Sequence, residues 1–518
     1  MKLGTMLADC AMRYPDREAM VCGDRRVTFA ELDTRASRLA NALLAEGQAF
    51  GDRVALYLPN GAELVEAMAA VARSGGVIVP ISTRLTTAEV RYIFDDCEPA
   101  FVFFAPEFRE PAYEAADGLD GVRMVAVAEP AAGELGFERL IAAGSPAAPP
   151  ALPVDKDDLV IGYTSGTTGN PKGAVNTHRN LISVNGFMNS IEWGLERTDR
   201  TLVTTPMAHR TGLGRVTNML CLGSSLVILP RFDPADAVDL IEREGCTIVG
   251  VVPTIARLLL PEIERRPEAC RTLRKMLATG EAFPVEVKKR LLAALPDLGI
   301  YSFYAQTESG FITSLRPEEQ FDHGASCGRA VPGVELRIVD GDLKDVADGE
   351  AGEVLVRCGE PGEIMTMREY YQLPEATAAT IVEGGWIRTG DVCRRDADGY
   401  LFFVDRVKDM IVSGGLNIYS KEVELALIAH PAVADAAVIG VPDDEFGESV
   451  MAFVERESGA TAQADELIEH CREQIASYKK PKHVRFIEAL PRTGTGKVQK
   501  QELRRLVASE QDTAHAGG

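Results

Sequence analysis

Leu159-Val160-Ile161-Gly162-Tyr163-Thr164-Ser165-Gly166-Thr167-Thr168-Gly169-Asn170-Pro171-Lys172-Gly173 is the stretch on which the fold of this chain turns. Its apolar start reads as a buried strand. The loop that follows packs Gly166, Gly169 and Gly173 together with Thr164, Ser165, Thr167, Thr168 and Lys172. Glycines let backbone N–H groups approach a polyphosphate, hydroxyls add donors or hold a cation, and lysine adds charge. A plain surface turn rarely combines these residues so densely after a buried strand. The loop is not of the GxxxxGK[ST] type: the one Gly-Lys pair, Gly496-Lys497, is followed by Val498, and Pro491 stands where the first Gly is required. No GxGxxG opens a helix after a strand, which disfavours a dinucleotide-binding oxidoreductase.

Outward from this loop the chain keeps a strand–helix–strand rhythm. Arg53 to Leu58 reads as a strand, Ala62 to Arg73 as a helix and Val77 to Ile81 as a strand; Ser225 to Leu229, Ala235 to Glu244 and Thr247 to Val252 repeat the pattern. Such alternation argues for parallel sheets covered by helices. Ala142 to Pro153 reads as a connector. From about Gly352 the pattern becomes β-rich, with strands at Glu353 to Arg357 and Tyr400 to Val404. After Arg406 comes a compact α+β region: a helix from about Ser420 as N-cap, strands at Ala436 to Ile439 and Val450 to Val454, a helix at Asp465 to Ile475 and a strand at His483 to Ile487. The expected fold class is α/β: a large N-terminal domain, 1–405, of parallel α/β sheets plus a β-rich subdomain, and a small α+β C-terminal domain, 406–518.

The length of 518 residues fits two to four domains at about 150 residues each. The formal net charge is −22, which argues against nonspecific binding to nucleic acid or to an anionic membrane. The acidity is unevenly spread. Cys471 to Leu506 holds ten Lys/Arg against three Glu, a local surplus of seven, so the rest of the chain carries about −29. None of the ten cysteines forms a CxxC pair, so they read as reduced thiols rather than a disulfide or zinc framework. The N-terminal stretch has no apolar signal core, and the longest apolar run, Thr247 to Pro261, is too short to span a bilayer. A cytoplasmic protein is the expectation.

Further motifs follow the loop in order: Pro206-Met207-Ala208-His209-Arg210-Thr211-Gly212, Thr279-Gly280-Glu281-Ala282, Tyr304-Ala305-Gln306-Thr307-Glu308, Trp386-Ile387-Arg388-Thr389-Gly390-Asp391, Asp405-Arg406-Val407-Lys408-Asp409, Gly414-Gly415-Leu416-Asn417-Ile418 and Pro491-Arg492-Thr493-Gly494-Thr495-Gly496-Lys497. Together with Ser165 to Gly173, they make the chain resemble, over essentially its whole length, the adenylate-forming superfamily of acyl-CoA synthetases, peptide-synthetase adenylation domains and luciferases.

The resemblance implies a role for each motif. ATP would lie against Thr164, Ser165, Gly166, Thr167, Thr168, Gly169, Lys172 and Thr307. Tyr304 would stack on adenine opposite the backbone of Gly280, Glu281 and Ala282. Asp391 would accept the ribose hydroxyls, with Arg406 beside it. Thr164 and Glu308 would hold Mg²⁺, a hard cation that suits oxygen ligands and phosphates. His209, which alone would read as a structural histidine, would sit beside the incoming carboxylate. Lys497, which alone would read as a solvated surface lysine, would be the catalytic cation aimed at the α-phosphate. Lys408 stands at the family's hinge, so the small C-terminal domain, 406–518, would be mobile. Gly414 and Gly415 would line a tunnel for the CoA thiol arm, with Phe446, Tyr478 and Lys480 as CoA contacts.

The implied activity is that of an AMP-forming acyl-CoA ligase. A carboxylic acid and ATP give acyl-AMP and pyrophosphate, and CoA then takes the acyl group. The acid is expected to be hydrophobic, medium-chain fatty or aromatic/alicyclic. A stand-alone adenylation enzyme that loads a carrier-protein thiol is the alternative; a binding module that keeps only the fold is disfavoured by the presence of Thr164, Lys172, Glu308, Asp391, Arg406 and Lys497. Two features depart from the commoner pattern. Ala305 stands where Gly is usual, near the floor of the acyl pocket. Arg210 and Arg215 stand where apolar residues are common; they read either as partners of a second acidic group on the substrate or, preferentially, as structural or solvent-facing residues. Oligomeric state stays open, a homodimer included.

Overall fold

The computed structural model describes residues 1–153, 157–164, 170–280, 283–443, 445–492 and 498–516. Two large sheets form the bulk of the chain. The first has nine strands in the order Arg329–Ala330, Gly310–Leu315, Gly299–Gln306, Lys275–Thr279, Ile248–Val251, Arg200–Val203, Ser225–Ile228, Glu18–Cys22 and Arg25–Thr28. Its middle strands pair in parallel and its edges antiparallel. The second has eight strands, in the order Glu369–Tyr370, Lys172–Thr177, Asp158–Thr164, Val77–Pro80, Arg53–Tyr57, Phe101–Phe104, Arg123–Ala126 and Leu135–Gly136. From Asp158–Thr164 onward its pairs are parallel. Strands such as Val77–Pro80 and Phe101–Phe104 are buried at every position, as parallel strands covered on both faces must be.

The Ala-rich helix Ala62–Ser74 explains how the sheets join. It is buried on nearly its whole circumference, and its residues share one core with strand residues of both sheets, including Met20 and Leu226 of one and Leu56 and Phe103 of the other. A helix apolar all round belongs inside such a sandwich. Each fully buried Leu or Val there contributes about 1.5–3 kcal/mol. The charges it carries inward are paired: Glu66 receives Arg25 at 2.5 Å and Arg35 at 2.7 Å, and Arg73 pairs with Asp33.

A third, antiparallel sheet of Glu335–Val339, Ala351–Arg357, Trp386–Arg395, Ile381–Val382 and Leu401–Arg406 forms the β-rich part. A fourth sheet of Ile411–Ser413, Leu416–Ile418, Val433–Asp443, Gly447–Arg456 and His483–Phe486 carries the helices Ser420–Ile428 and Ala464–Gln474. One local expectation is corrected. Ser420 is the first residue of its helix, not the cap, and its hydroxyl donates to buried Asp405 at 2.9 Å instead of closing the helix end. All ten cysteines are free thiols. Among the described residues no helix is long and apolar enough to cross a membrane.

Candidate active site

The two large sheets meet at the C-terminal ends of their strands, where open α/β sheets bind ligands. The strand Asp158–Thr164 ends at Thr164, and the strand Gly299–Gln306 runs out into Thr307 and Glu308. The Thr164 hydroxyl donates to Glu308 Oε1 at 2.9 Å, and the Tyr370 hydroxyl donates to the same oxygen at 3.0 Å. Burial and the neighbouring Glu308 push the Tyr370 hydroxyl well above its usual pKa, so it remains a donor. The Lys172 ammonium lies 5.1 Å from the centre of the Tyr370 ring. Thr307 packs against the strand Asp158–Thr164 because residue 162 is glycine: a Cβ there would lie 3.1 Å from Thr307 Cγ2. Ser165, Gly166, Thr167, Thr168, Gly169, Glu281, Ala282 and Lys497 lie outside the described residues.

A second cluster forms around Asp391, which is 5% exposed. Tyr304 donates its hydroxyl to Asp391 Oδ2 at 2.6 Å, Gln306 Nε2 donates to the same oxygen at 2.7 Å, and Arg406 Nε approaches Oδ1 at 3.4 Å. Asp391 and Arg406 are direct partners across the strands Trp386–Arg395 and Leu401–Arg406, so their side chains face the same way. Tyr304 and Gln306, two residues apart on one strand, share a face. Burial, then Asp391, holds the Tyr304 hydroxyl protonated far above its ordinary pKa. Gly280, at a φ of +99°, turns the chain out of the strand Lys275–Thr279, whose last residue lies opposite Phe303.

A third cluster lies on the other face of the strand that carries Tyr304. His209 precedes the helix Arg210–Leu222 with extended backbone. Gly212 lets the preceding loop lie against this helix, since a Cβ would come within 2.5 Å of Met207 Cα and Pro206 O. A cavity of about 40 Å³ opens here, lined among others by Asn185, Trp193, Arg210, Arg215, Phe303 and Ala305. Gln306 also borders it, at the boundary with the Asp391 cluster. Trp193, Phe303 and Phe311 pack with ring centres 4.8 to 5.6 Å apart and make one wall. Of the structural and solvent-facing readings of Arg210 and Arg215, the solvent-facing one does not hold for Arg215, which is 4% exposed; Arg210 is half-buried, with its Nε and Nη2 covered. A larger hollow of about 350 Å³ lies toward the start of the strand Asp158–Thr164; its carboxylates, Asp157 and Asp158, are already paired with Lys2, Arg179 and Arg368.

Beyond residue 405, Gly414 and Gly415 form the turn between Ile411–Ser413 and Leu416–Ile418, with φ of +58° and +79°. The Gly414 N–H donates to the Phe446 carbonyl at 2.8 Å, and the Phe446 ring is 45% exposed beside it. Asp443 accepts from the Phe446 N–H at 3.1 Å and from Lys482 Nζ at 2.6 Å, which ties the segment after Lys480 to this turn. Tyr478 is exposed on the short turn Ser477–Lys479. Lys408 is exposed, and Arg504 of the last helix donates to its carbonyl at 3.3 Å.

This arrangement matches known proteins. The model of AMP-binding enzymes matches residues 7–371, and that of the AMP-binding enzyme C-terminal domain matches 422–497. The chain belongs to the AMP-binding enzyme family. This AMP-binding enzyme is 36% identical over 504 residues to an indoleacetate–CoA ligase of Aromatoleum aromaticum, covering 96% of this chain and 95% of the relative. It is 35% identical over 513 residues to a sulfoacetate–CoA ligase of Cupriavidus necator, covering 97% of each. It superposes with a TM-score of 0.84, at 30% identity and 96% and 97% coverage, on o-succinylbenzoate CoA synthetase from Bacillus subtilis in complex with its acyl-adenylate intermediate. The chain is an AMP-forming acid–thiol ligase, a class that ATP and CoA fit as cosubstrates.

The sequence reading passed over two polar residues of this AMP-binding enzyme. Gln306 stands two positions from Tyr304, and the period of a strand places it on the same face. Tyr370 had no local signal. It reaches Glu308 only because the strand Glu369–Tyr370 pairs with Lys172–Thr177, next to the strand that ends at Thr164.

Proposed function

We propose that the chain carries out acid activation and acyl transfer at this one site, with free CoA as the acceptor. The observation that carries the reading is the meeting of Thr164 with Glu308, and of Tyr304 and Gln306 with Asp391 and Arg406, at the strand ends of two sheets. The phosphate loop from Ser165 to Gly169 and Lys172 receive the ATP phosphates. Tyr304 lies along the adenine opposite residues 280–282, with Thr307 near the phosphates, and Asp391 accepts the ribose hydroxyls beside Arg406. Thr164 and Glu308 fit Mg²⁺, because a hydroxyl oxygen and a carboxylate oxygen already converge, and nucleotide-bound Mg²⁺ needs few protein ligands. When bound there, the ion supplies Lewis-acid neutralisation of phosphate charge.

The acid lies beside His209. One carboxylate oxygen bonds to the α-phosphorus, the bond to the β-phosphate bridging oxygen breaks, and pyrophosphate leaves. Lys497 stabilises the charge that develops in this step. The segment 406–518 is a separate unit from 1–405 and turns about Lys408, which brings Gly414 and Gly415 to the site; hinges of this kind are a few residues that absorb a large φ/ψ change. Asp405 holds Ser420 in the present arrangement, so this contact breaks in the turn. The thiol loses its proton to solvent, its sulfur bonds to the acyl carbon, and AMP leaves. Phe446, Tyr478 and Lys480 contact CoA, and the local surplus of basic residues from Cys471 to Leu506 attracts both nucleotides. The relatives named above act on acids as unlike as indoleacetate and sulfoacetate, so the acid is decided by this chain's own pocket.

Acid-dependent pyrophosphate release with and without CoA tests the reading. Continuation from AMP-acyl to thioester with CoA is the expected result. An adenylate that forms but stalls with CoA favours a carrier-protein thiol as acceptor. Lys497→Ala should lower adenylation by about 10²–10³-fold while thioester formation from supplied acyl-adenylate persists, and Gly415→Leu should do the reverse. Equal loss of both steps in both variants contradicts the alternation of domains.

A further inference from the structure

The cavity on the acyl side holds an unusual imbalance of polar groups. Among the described residues, Nε and Nη2 of Arg210, Nε of Arg215, Nδ2 of Asn185, Nε1 of Trp193 and Oδ1 of Asn189 are buried without a hydrogen-bond partner. All six atoms belong to residues lining this one cavity. Five are donors and one is an acceptor. Neither guanidinium has an ion pair with a described carboxylate; Arg215 reaches only Asn218 Oδ1, at 3.5 Å, and lies 5.0 Å from the Trp193 ring.

Several other buried charges meet an opposite charge, although Lys288, 1% exposed, has only the Gly324 carbonyl at 3.3 Å. Glu66 is met by two arginines, Arg73 by Asp33, and Asp199 by Arg274 and Lys275. An uncompensated buried charge is strongly unfavourable. Burial lowers both guanidinium pKa values to about 10, which still leaves both groups cationic at neutral pH. Gly250 makes the room for Arg215: a Cβ there would lie 3.2 Å from Arg215 Nε. Arg210 and Arg215 lie five residues apart on one helix, about 7.5 Å along its axis, and both border the cavity beside Ala305. A space of about 40 Å³ suits a compact acid rather than a long alkyl chain.

We propose that Arg210 and Arg215, with Asn185 and Trp193, form an anion subsite, and that the substrate is a compact carboxylic acid with a second anionic group, a carboxylate or a sulfonate. This rests on the ligase reading above and replaces the expectation of a purely hydrophobic acid. The reacting carboxylate faces His209 and ATP, while the second anion meets the guanidinium groups. The aromatic wall packs on the carbon chain between them. An acid without the second charge leaves the buried donors unpaired, which is how polar pockets reject isosteres most strongly.

The test pairs acids of matched size with the full-length enzyme. Succinate, glutarate, phthalate and sulfoacetate are compared with 4-methylpentanoate, 5-methylhexanoate, 2-isopropylbenzoate and 3,3-dimethylbutanoate by pyrophosphate release with ATP and CoA. The preferred dianionic acid should exceed its isostere in kcat/KM by about 100-fold or more. Whether a dicarboxylate or a sulfo-acid leads identifies the second group. Arg215→Met and Arg210→Met should collapse that ratio and leave KM for ATP unchanged. A second measurement needs no turnover: Arg215→Met should raise the Tm of the unliganded enzyme by roughly 2 °C, because it removes an unpaired buried charge. Succinate or sulfoacetate should raise the Tm of the unsubstituted chain and not that of Arg215→Met. Monocarboxylic acids that match or exceed their dianionic partners, or an Arg215→Met that loses stability and keeps the ratio, would overturn the subsite while the ligase reading stands. Failure of every acid to release pyrophosphate would count against the ligase reading, and the Tm measurements would then decide the subsite alone.

Discussion

On one face of the strand Gly299–Gln306, the carboxylate of Asp391 is met by Tyr304, Gln306 and Arg406; on the other, the guanidinium groups of Arg210 and Arg215 meet no described carboxylate. Phe303 and Ala305 line the second face, one residue out of phase with Tyr304. The closed network holds its charge in place before any ligand arrives, and it offers that charge to neutral hydroxyls. The open pair keeps its charge uncompensated until an anion enters. The difference teaches where specificity resides in the proposed function: there the closed face takes the invariant nucleotide and the open face the variable acid.

The largest effect that could break this comparison comes from the closed face. Asp391→Asn removes the anionic acceptor of two hydrogen bonds and the partner of Arg406. It should raise KM for ATP by about 100-fold, since hydrogen bonds to charged groups contribute roughly 1.5–3 kcal/mol each. Steady-state kinetics with varied ATP measures it, and an unchanged KM would remove Asp391 from nucleotide binding. A smaller change sharpens the open face. Gly250→Ala presses on Arg215 Nε and should lower kcat/KM for the preferred dianionic acid by about tenfold, with KM for ATP unaltered.

The smallest effect concerns a buried neutral group away from both faces. His178 is 1% exposed and accepts the Leu3 N–H at its Nδ1, 3.1 Å away. Burial, then Lys2, lowers its pKa to about 3. The unfolded chain therefore binds the proton first as pH falls below about 6.5, and stability falls with it over the range down to about 3. Between pH 6.5 and 5.5 this one group accounts for a loss of about 1 kcal/mol. Denaturant unfolding at the two pH values measures it, and His178→Gln should reduce the difference.

Much of this was legible in the sequence because it is local. The strand–helix rhythm at Arg53 to Ile81 follows from period and composition, and the loop before Lys172 announces phosphate chemistry by residue type alone. The meeting of Thr164 with Glu308, 144 positions apart, followed only from the resemblance of both motifs to one family. What stayed hidden depends on partners. A sequence lists Arg210 and Arg215 but not whether a carboxylate reaches them, and it left open whether they are structural or solvent-facing; Arg215 is buried and Arg210 half-buried. Ser420 looked like a helix cap because serine caps well, yet buried Asp405 competes for its hydroxyl. Tyr370 reaches Glu308 through strand pairing that no local pattern announces.

The separation of the two faces can be measured directly. The ratio of kcat/KM for a dianionic acid to that of its neutral-tailed isostere is determined in the unsubstituted chain, in Asp391→Asn and in Arg215→Met. The account predicts a ratio that survives Asp391→Asn, despite weak ATP binding, and falls to near one in Arg215→Met. A ratio that collapses in both variants, or in neither, would contradict it.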